Sequence, residues 1–233
     1  MTSEKQELTT RTLADVLSFI QKRNYDPGER LPSERELAER FGVGRGVIRE
    51  ALSVLENLRY LTRRPNSGVF LADAPERVSL ETLSLFAELG ISLTGDKLRE
   101  ALEVRRIVEI QAVQLACQRR TDEDLACLQG IIDRFDAAIA GSHEQTADLD
   151  YAFHMAIFNA AHNTVLAQMV HPFYLMSAHR RATFFADKTR SAASNRQHRA
   201  LLQCLRRRDA DEAQRIIGEH IGRVESELRA RHE

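Results

Sequence analysis

The stretch LPSERELAERFGVGRGVIREAL, residues 31–52, decides the fold of the first third of this 233-residue chain. Ser33 followed by Glu36 is a capping box, in which each residue satisfies a free backbone N–H of the other, so a helix is predicted to start sharply at Ser33. A short turn follows at residues 42–44, and a second helix is predicted from about Arg45 to Leu58. Two short helices joined by a tight turn that contains glycine predict a helix-turn-helix.

Two strand-like runs come next, LTRR at 61–64 and GVFLA at 68–72, with turn-forming residues between them. A β-hairpin in this place is the wing of a winged helix-turn-helix. From about residue 79 onward every recognisable segment has helical periodicity. We therefore expect a mainly α protein with a winged helix-turn-helix domain at 1–73, a linker at 74–78 and an all-α helical bundle domain at 79–233.

The net charge of −1 excludes a protein that binds nucleic acid through bulk positive charge, but a local basic surface remains possible. Residues 40–64 carry six arginines and only two glutamates. Arg45 and Arg49 are one turn apart on the second helix, so they share a face and could contact guanine edges or phosphates in the major groove. Gly44 and Gly46 leave the helix start bare for close approach of DNA, and Arg35 lies near the start of the preceding helix.

The motifs LPSERELA, VGRGVIREAL and RPNSGVF resemble the DNA-binding domain of the GntR family of bacterial transcription regulators. The resemblance implies DNA contacts from the following six residues: Arg35, Gly44, Arg45, Gly46, Arg49 and Gly68. The family often has Ser or Thr at position 44 and a small polar residue at position 46, where this chain has glycine.

Polar residues interrupt the apolar stripes of three predicted helices in the second domain. His220 continues the inward stripe of Ala213 and Ile217, and His198 opens the stripe of the preceding helix. Asp150 and His154 lie one turn apart on a third helix. Burial of so many titratable groups is costly unless something compensates them, and a divalent metal would satisfy all four. This donor set suits Zn²⁺, Ni²⁺ or Mn²⁺, and the residues do not choose between them. Zinc is our first expectation, with nickel or manganese as alternatives.

A second anomaly lies between Leu98 and Arg119, where Arg105 and Glu109 are at i and i+4. One interpretation is a partly exposed intrahelical ion pair that contributes about 0.3–0.5 kcal/mol. The other is an inward arginine whose guanidinium receives an anion, since its fork matches a carboxylate. The pattern alone does not choose between them.

The second domain also resembles the FCD effector domain of the FadR subfamily of GntR regulators, through EVRRIVE, DYAFH, the His162-Asn163 pair, RQH and GEH. The resemblance implies that Asp150, His154, His198 and His220 hold a metal. It also implies that Arg105 and Asn163 line a cavity for a small carboxylate effector, bound beside the metal or on it.

We therefore expect a sequence-specific DNA-binding transcription regulator, not an enzyme, in the cytoplasm of a bacterium. Its expected partners are a pseudo-palindromic double-stranded operator, a small organic acid and a second copy of itself, with no membrane. Two alternatives remain. A metalloenzyme could retain a winged helix, although the chain has no HExxH motif and no evident general base. The helical domain could also be a structural dimeriser without an effector.

Overall fold

The computed structural model describes residues 2–91, 93, 95–142 and 144–229. The chain divides into two compact units, Met1–Ser92 and Leu93–Glu233. In its described part, the first unit contains four helices, α1 to α4, a two-stranded sheet and one turn of 3-10 helix. Their bounds are α1 Thr2–Arg23, α2 Glu34–Phe41, α3 Arg45–Asn57, β1 Leu61–Arg64, β2 Gly68–Leu71, the 3-10 turn Pro75–Arg77 and α4 Glu81–Glu88.

The predicted capping box is present at the start of α2. The Ser33 side chain accepts a hydrogen bond from the Glu36 N–H, and the Ser33 N–H donates to Glu36 Oε2 at 2.7 Å. Helix α2 ends at Gly42, which adopts a left-handed conformation with φ of 66°. The apolar faces of α1, α2 and α3 bury Leu17, Leu37 and Ile48 in a common core.

Strands β1 and β2 form an antiparallel hairpin with Leu61 opposite Leu71 and Arg64 opposite Gly68. Hereafter "the wing" means residues 61–71. Leu61 and Val69 are buried, whereas Arg63 and Arg64 on β1 are exposed. Leu61 and Val69 thus anchor the hairpin to the core, while Arg63 and Arg64 lie at its surface.

Residues 74–91 cluster with the first unit rather than with the helical domain that follows. The Ser79 N–H donates to the Leu58 carbonyl at 2.9 Å, and the Phe86 ring of α4 packs edge-on against Tyr60 at 5.8 Å. These contacts put the division between compact units at residues 92 and 93, beyond the linker that the sequence suggests at 74–78.

The described residues of the second unit form seven helices: α5 Gly95–Arg119, α6 Asp122–Ala140, α7 Thr146–Ala160, α8 Thr164–Met176, α9 Ala178–Phe185, α10 Lys188–Arg207 and α11 Ala210–Arg229. Helix α7 packs against α5, α6, α8 and α9, and α11 packs against both α5 and α10. The shared core includes Phe135, Phe153 and Leu201, all fully buried. The prediction of a mainly α fold, with a winged helix-turn-helix followed by a helical bundle, is confirmed.

The region between Thr164 and Arg207 differs from the sequence pattern in its helix ends. The pattern predicts one helix from Thr164 into the 180s, but the helix breaks at Ser177, where the Tyr174 carbonyl accepts hydrogen bonds from Ser177 Oγ and Arg181 Nη1. Helix α10 begins five residues before the predicted Ala193, because the Asp187 carboxylate caps the N–H groups of Thr189 and Arg190. The break brings Arg181 back toward the end of α8.

Candidate metal centre and nucleic-acid interface

The start of α3 presents bare backbone to solvent. Its N-cap is Gly44, with φ of −67° and ψ of 145°, and it provides no capping side chain for the first N–H groups. A Cβ atom added at Gly44 or Gly46 would meet nothing within 4 Å among the described residues. The first turn of α3 is therefore open to a phosphate or a base edge, as an anion site at a helix N-terminus requires.

Arg35, Arg45 and Arg49 are all exposed, as expected of residues that contact DNA. Arg49 is not free, since its Nη2 lies 3.2 Å from Glu34 Oε2, and Arg63 of the wing contacts the other oxygen of Glu34 at 3.0 Å. Burial raises the pKa of Glu34, but the hydrogen bonds from Arg63 and Arg49 outweigh it and hold the pKa below its ordinary value. Glu34, on α2, thus joins α3 to the wing. The sequence pattern did not indicate this contact.

Gly68 begins strand β2 with φ of 113°, a conformation that side chains with a Cβ rarely adopt. A Cβ at this position would also approach Arg30 Nε to 3.1 Å. The conformation of the wing therefore requires glycine at the position that the family resemblance assigns to the wing tip.

Three helices of the second unit bring Asp150, His154, His198 and His220 together. Helix α7 provides Asp150 and His154, α10 provides His198, and α11 provides His220. One possible ligand atom from each residue lies within 4.8 Å of the other three. The Nε2 atoms of His154 and His220 are 3.1 Å apart, and Asp150 Oδ1 is 3.4 Å from His198 Nε2.

These separations are of the size that a bound ion would impose. With metal–ligand bonds of about 2.0–2.2 Å, adjacent ligand atoms are separated by roughly 3.0 Å at right angles and roughly 3.4 Å in a tetrahedron. Asp150 Oδ1 also lies 3.7 Å from His154 Nε2 and 3.8 Å from His220 Nε2, so one carboxylate oxygen faces all three imidazoles.

Several polar atoms of this cluster have no hydrogen-bond partner among the described residues: Asp150 Oδ1 and both ring nitrogens of His198. All four residues are at most 3% exposed, so water compensates them little. An unsatisfied buried polar group costs about 1–3 kcal/mol, and more when it is charged. The donor set and its unsatisfied atoms fit a divalent metal.

Two of the histidines have acceptors on the nitrogen that faces away from the cluster. Glu109 Oε2 lies 2.5 Å from His154 Nδ1, and Gln197 Oε1 lies 3.0 Å from His220 Nδ1. An acceptor at Nδ1 holds the proton there and leaves Nε2 as the lone-pair donor, which is the arrangement common around metal-binding histidines. His198 differs, because its ring stacks on Phe153 with 4.0 Å between centroids.

The electrostatics favour the protonation states that bind metal. Burial raises the pKa of Asp150, but the three facing histidines outweigh burial and hold this pKa well below its ordinary value. Burial lowers the pKa of His198 and of His220. At neutral pH the cluster therefore offers the Asp150 carboxylate and the neutral imidazoles of His198 and His220, the forms that coordinate a cation.

Arg105 is buried, so the interpretation of a partly exposed ion pair is wrong. Its Nε donates to Glu109 Oε1 at 2.7 Å, with side chains only 9% and 2% exposed, and its Nη2 donates to Tyr174 Oη. The Tyr174 hydroxyl donates in turn to Glu109 Oε1 at 2.6 Å. Arg105 therefore connects through Glu109 to His154 of the four-residue cluster, while its contact with an effector stays a prediction.

Asn163 occupies a different setting from Arg105. It is the N-cap of α8, and its Oδ1 accepts a hydrogen bond from the Leu166 N–H at 3.2 Å. This capping bond gives Asn163 a structural role that needs no ligand. Its role in lining an effector cavity stays a prediction.

Sequence reasoning missed three side chains around the metal cluster: Tyr174, Gln197 and Glu109 as the partner of His154. Gln197 also lines a surface groove of about 480 Å³ between α10 and α11, and the same side chain contacts His220. Helical periodicity indicates that a residue faces inward, but it does not reveal which helix it meets there. No signal in the sequence could have paired Glu109 with His154, 45 positions away.

The two units correspond to two families of known domains. Residues 8–71 match the family model "Bacterial regulatory proteins, gntR family", and residues 100–223 match the model "FCD domain". The chain belongs to the GntR family, and it is a DNA-binding transcription regulator with an FCD effector domain.

Curated relatives extend over nearly the whole chain. The HTH-type transcriptional regulator LutR of Bacillus subtilis is 26% identical and covers 90% of this chain and 96% of its own length. The galactonate operon transcriptional repressor of Escherichia coli is 29% identical, covering 88% of this chain and 90% of its own length. The Nta operon transcriptional regulator of Aminobacter aminovorans is 31% identical, and the match covers 85% of this chain and 83% of that protein.

Solved structures share the fold. A Listeria monocytogenes protein described as Lar, which controls expression of the agr system, aligns with a TM-score of 0.66 at 17% identity and covers 95% of this chain and 96% of its own. The Escherichia coli protein McbR/YncC aligns with a TM-score of 0.55 at 20% identity, with 98% and 96% covered. Among the described helices, none has the length and apolar content needed to span a membrane.

Proposed function

We propose that this regulator senses a small carboxylate metabolite in a metal-containing pocket of its helical domain and works in the cytoplasm of a bacterium. The observation that carries the proposal is the buried cluster of Asp150, His154, His198 and His220, whose polar atoms lack sufficient partners in the described part of the chain. We propose zinc as the resident metal, with nickel or manganese as alternatives, since imidazole and carboxylate ligands suit all three.

The four proposed ligands leave room for an effector only on an ion with more than four coordination positions. A tetrahedral ion would be filled by four protein ligands, whereas a five- or six-coordinate ion would keep positions for a carboxylate from solution. Arg105 and Asn163 are proposed to line the effector cavity, Arg105 through its guanidinium. The relatives are named as regulators of operons, which supports regulation rather than catalysis as the role of the metal.

The metal proposal predicts about one divalent ion per chain after purification without chelators. Elemental analysis by mass spectrometry measures the content, and the double variant His198→Ala plus His220→Ala should lose the ion because it removes two of four ligands. The matched control His179→Ala changes an exposed histidine in the same unit and should keep full content. A wild-type protein without metal would overturn the proposal.

DNA contact is proposed for Arg35, Arg45, Arg49 and the backbone at Gly44, Gly46 and Gly68. The protein is proposed to act as a homodimer on a pseudo-palindromic operator, because a two-fold symmetric protein matches two symmetric half-sites. An effector would change the affinity for the operator only as far as it favours one arrangement of the two DNA-binding domains.

The DNA proposal predicts that Arg45→Ala and Arg49→Ala each weaken operator binding by at least about five-fold. The physical reason is that a bidentate arginine–guanine pair provides about 1–3 kcal/mol of discrimination. Fluorescence anisotropy on the operator found by genomic selection measures the affinity, and circular dichroism checks folding. The control Arg11→Ala removes an exposed arginine of α1 and should bind normally. Unchanged affinity in both variants would contradict the assignment.

A further inference from the structure

Glu34 is an acidic side chain within the basic surface proposed for DNA. Its side chain is only 16% exposed, whereas the side chain of Arg49 beside it is largely exposed. Glu34 Oε2 accepts hydrogen bonds from Arg49 Nε at 3.3 Å and from Arg49 Nη2 at 3.2 Å. A negative charge at this place opposes the attraction between the surface and the phosphates of DNA, so it weakens binding to DNA of any sequence.

The other oxygen of Glu34 binds an arginine of the wing. Glu34 Oε1 lies 3.0 Å from Arg63 Nη1, and Glu56 Oε2 lies 3.3 Å from Arg63 Nε. One carboxylate of α2 therefore holds one arginine of α3 and one arginine of the wing. Within this group the charges of Glu34 and Glu56 balance those of Arg49 and Arg63.

The ion pair of Arg35 on the same helix is much looser. Arg35 Nε is 3.8 Å from Glu39 Oε1 and both side chains are largely exposed, so solvent screens the pair. Burial raises the pKa of Glu34, but the hydrogen bonds from Arg63 and Arg49 outweigh it and keep the carboxylate ionised at neutral pH. The strong restraint in this part of the surface therefore acts on Arg49 and Arg63.

The charge of an approaching DNA group decides how Glu34 affects its binding. A phosphate that reaches Arg49 brings a negative charge close to the Glu34 carboxylate, and like charges placed side by side repel each other. A guanine edge offers the acceptors O6 and N7 without a net charge, so Arg49 can bind it while Glu34 stays ionised. Glu34 thus disfavours the contact that every DNA sequence offers and permits the contact that carries sequence information.

We infer that Glu34 is a specificity-determining residue, which keeps Arg49 and Arg63 away from the phosphates of non-operator DNA. The inference rests on the proposed function, in which Arg49 contacts DNA, and extends it to a residue that need not touch DNA itself. Glu34 acts through the two arginines and is in this sense a positioning residue. It lowers the affinity for wrong sites more than the affinity for the operator, which is how a repulsive group creates specificity.

Fluorescence anisotropy tests the inference with full-length protein, the operator and a non-operator duplex of equal length, at 50 to 200 mM salt. Glu34→Gln should bind the non-operator duplex more tightly than the wild type does. Each phosphate contact adds about 0.9 to the slope of log affinity against log salt, so a four-fold rise in salt should weaken this variant roughly three-fold more for each arginine released. The matched control Glu88→Gln removes an exposed carboxylate of α4 and should keep the wild-type slope.

Arg49→Ala separates this restraint from a merely structural role of Glu34. In the wild-type background it should leave the salt slope on non-operator DNA unchanged, because Glu34 already occupies the guanidinium. In the Glu34→Gln background the same change should lower the slope by about 0.9, because the released arginine then contacts a phosphate. Circular dichroism checks that each variant is folded.

Equal salt slopes of the wild type and Glu34→Gln on non-operator DNA would overturn the inference, and so would weaker binding of this variant to both duplexes. Should Glu34→Gln not fold, Arg49→Ala alone decides, since a non-operator slope lowered by about 0.9 would show that Arg49 already contacts phosphates. If Arg49→Ala loses operator affinity while Glu34→Gln behaves as the wild type, only this inference fails. If Arg49→Ala binds the operator normally, the proposed DNA contact fails and the inference falls with it.

Discussion

Glu109 contacts three functional side chains at once, although its own position in α5 suggests only an ion pair. Its Oε1 atom accepts hydrogen bonds from Arg105 and Tyr174, and its Oε2 atom faces His154 Nδ1. The four metal-binding candidates could be predicted because each falls on an apolar helical stripe, where a polar side chain is anomalous. Glu109 could not, because its significance depends on neighbours from other helices.

Glu109→Gln should weaken metal affinity by about 10–100-fold, the range typical when a partner of a metal-bound histidine is lost. The amide removes the negative charge that holds the proton on His154 Nδ1, while it changes the side-chain volume little. Competition with a chelating dye measures the affinity. Glu103→Gln alters an exposed carboxylate of the same helix and serves as the control. Equal affinities in the two variants would refute this role of Glu109.

Single helices show how far local sequence determines helix ends. The capping box of α2 was predicted from Ser33 and Glu36, because both partners lie within four residues. The apolar pattern predicts the start of α10 at Ala193, five residues late, although Asp187 is a favourable N-cap residue visible in the sequence. The break at Ser177 has no comparable signal in the sequence, since it depends on the hydrogen bond that Arg181 donates to the Tyr174 carbonyl.

Ser33→Ala should lower the free energy of unfolding of the first unit by about 1 kcal/mol, because it leaves a first-turn N–H of α2 without its acceptor. Urea denaturation followed by circular dichroism measures the change. Ser53→Ala is the matched control, since the Ser53 hydroxyl donates to the Arg49 carbonyl within α3 and its loss should cost nothing. A drop of about 1 kcal/mol in the free energy of unfolding of Ser53→Ala, with no drop in Ser33→Ala, would contradict the capping role of Ser33.

At the scale of the whole molecule, the two compact units carry separate tasks. The surface proposed for DNA lies entirely within Met1–Ser92, and the metal cluster lies entirely within Leu93–Glu233. The sequence predicted this order of domains, because a helix-turn-helix and an all-helical pattern follow one another along the chain. It did not predict that residues 74–91 belong to the first unit, since the Tyr60–Phe86 contact is visible only in the folded chain.

Metal removal should therefore destabilise one unit selectively. At a free metal concentration one thousand times its Kd, binding stabilises the folded state by about 4 kcal/mol. A chelator should lower the calorimetric transition of the second unit by roughly 10 °C. Hydrogen exchange should then speed up in α7, α10 and α11, whereas α2 and α3 provide the internal control. Equal acceleration in both groups of helices would contradict a metal confined to the second unit.

The metal-binding candidates are far apart along the chain, which has a consequence for biosynthesis. His154 and His220 are 66 residues apart, and at about 5–20 residues per second a ribosome needs roughly 3–13 s to make that interval. During this time the nascent chain exposes Asp150 and His154 without their later partners. At the proposed metal site, selection of the ion would accordingly wait until α11 has emerged, so the metal available to the newly finished polypeptide would decide which ion the regulator carries.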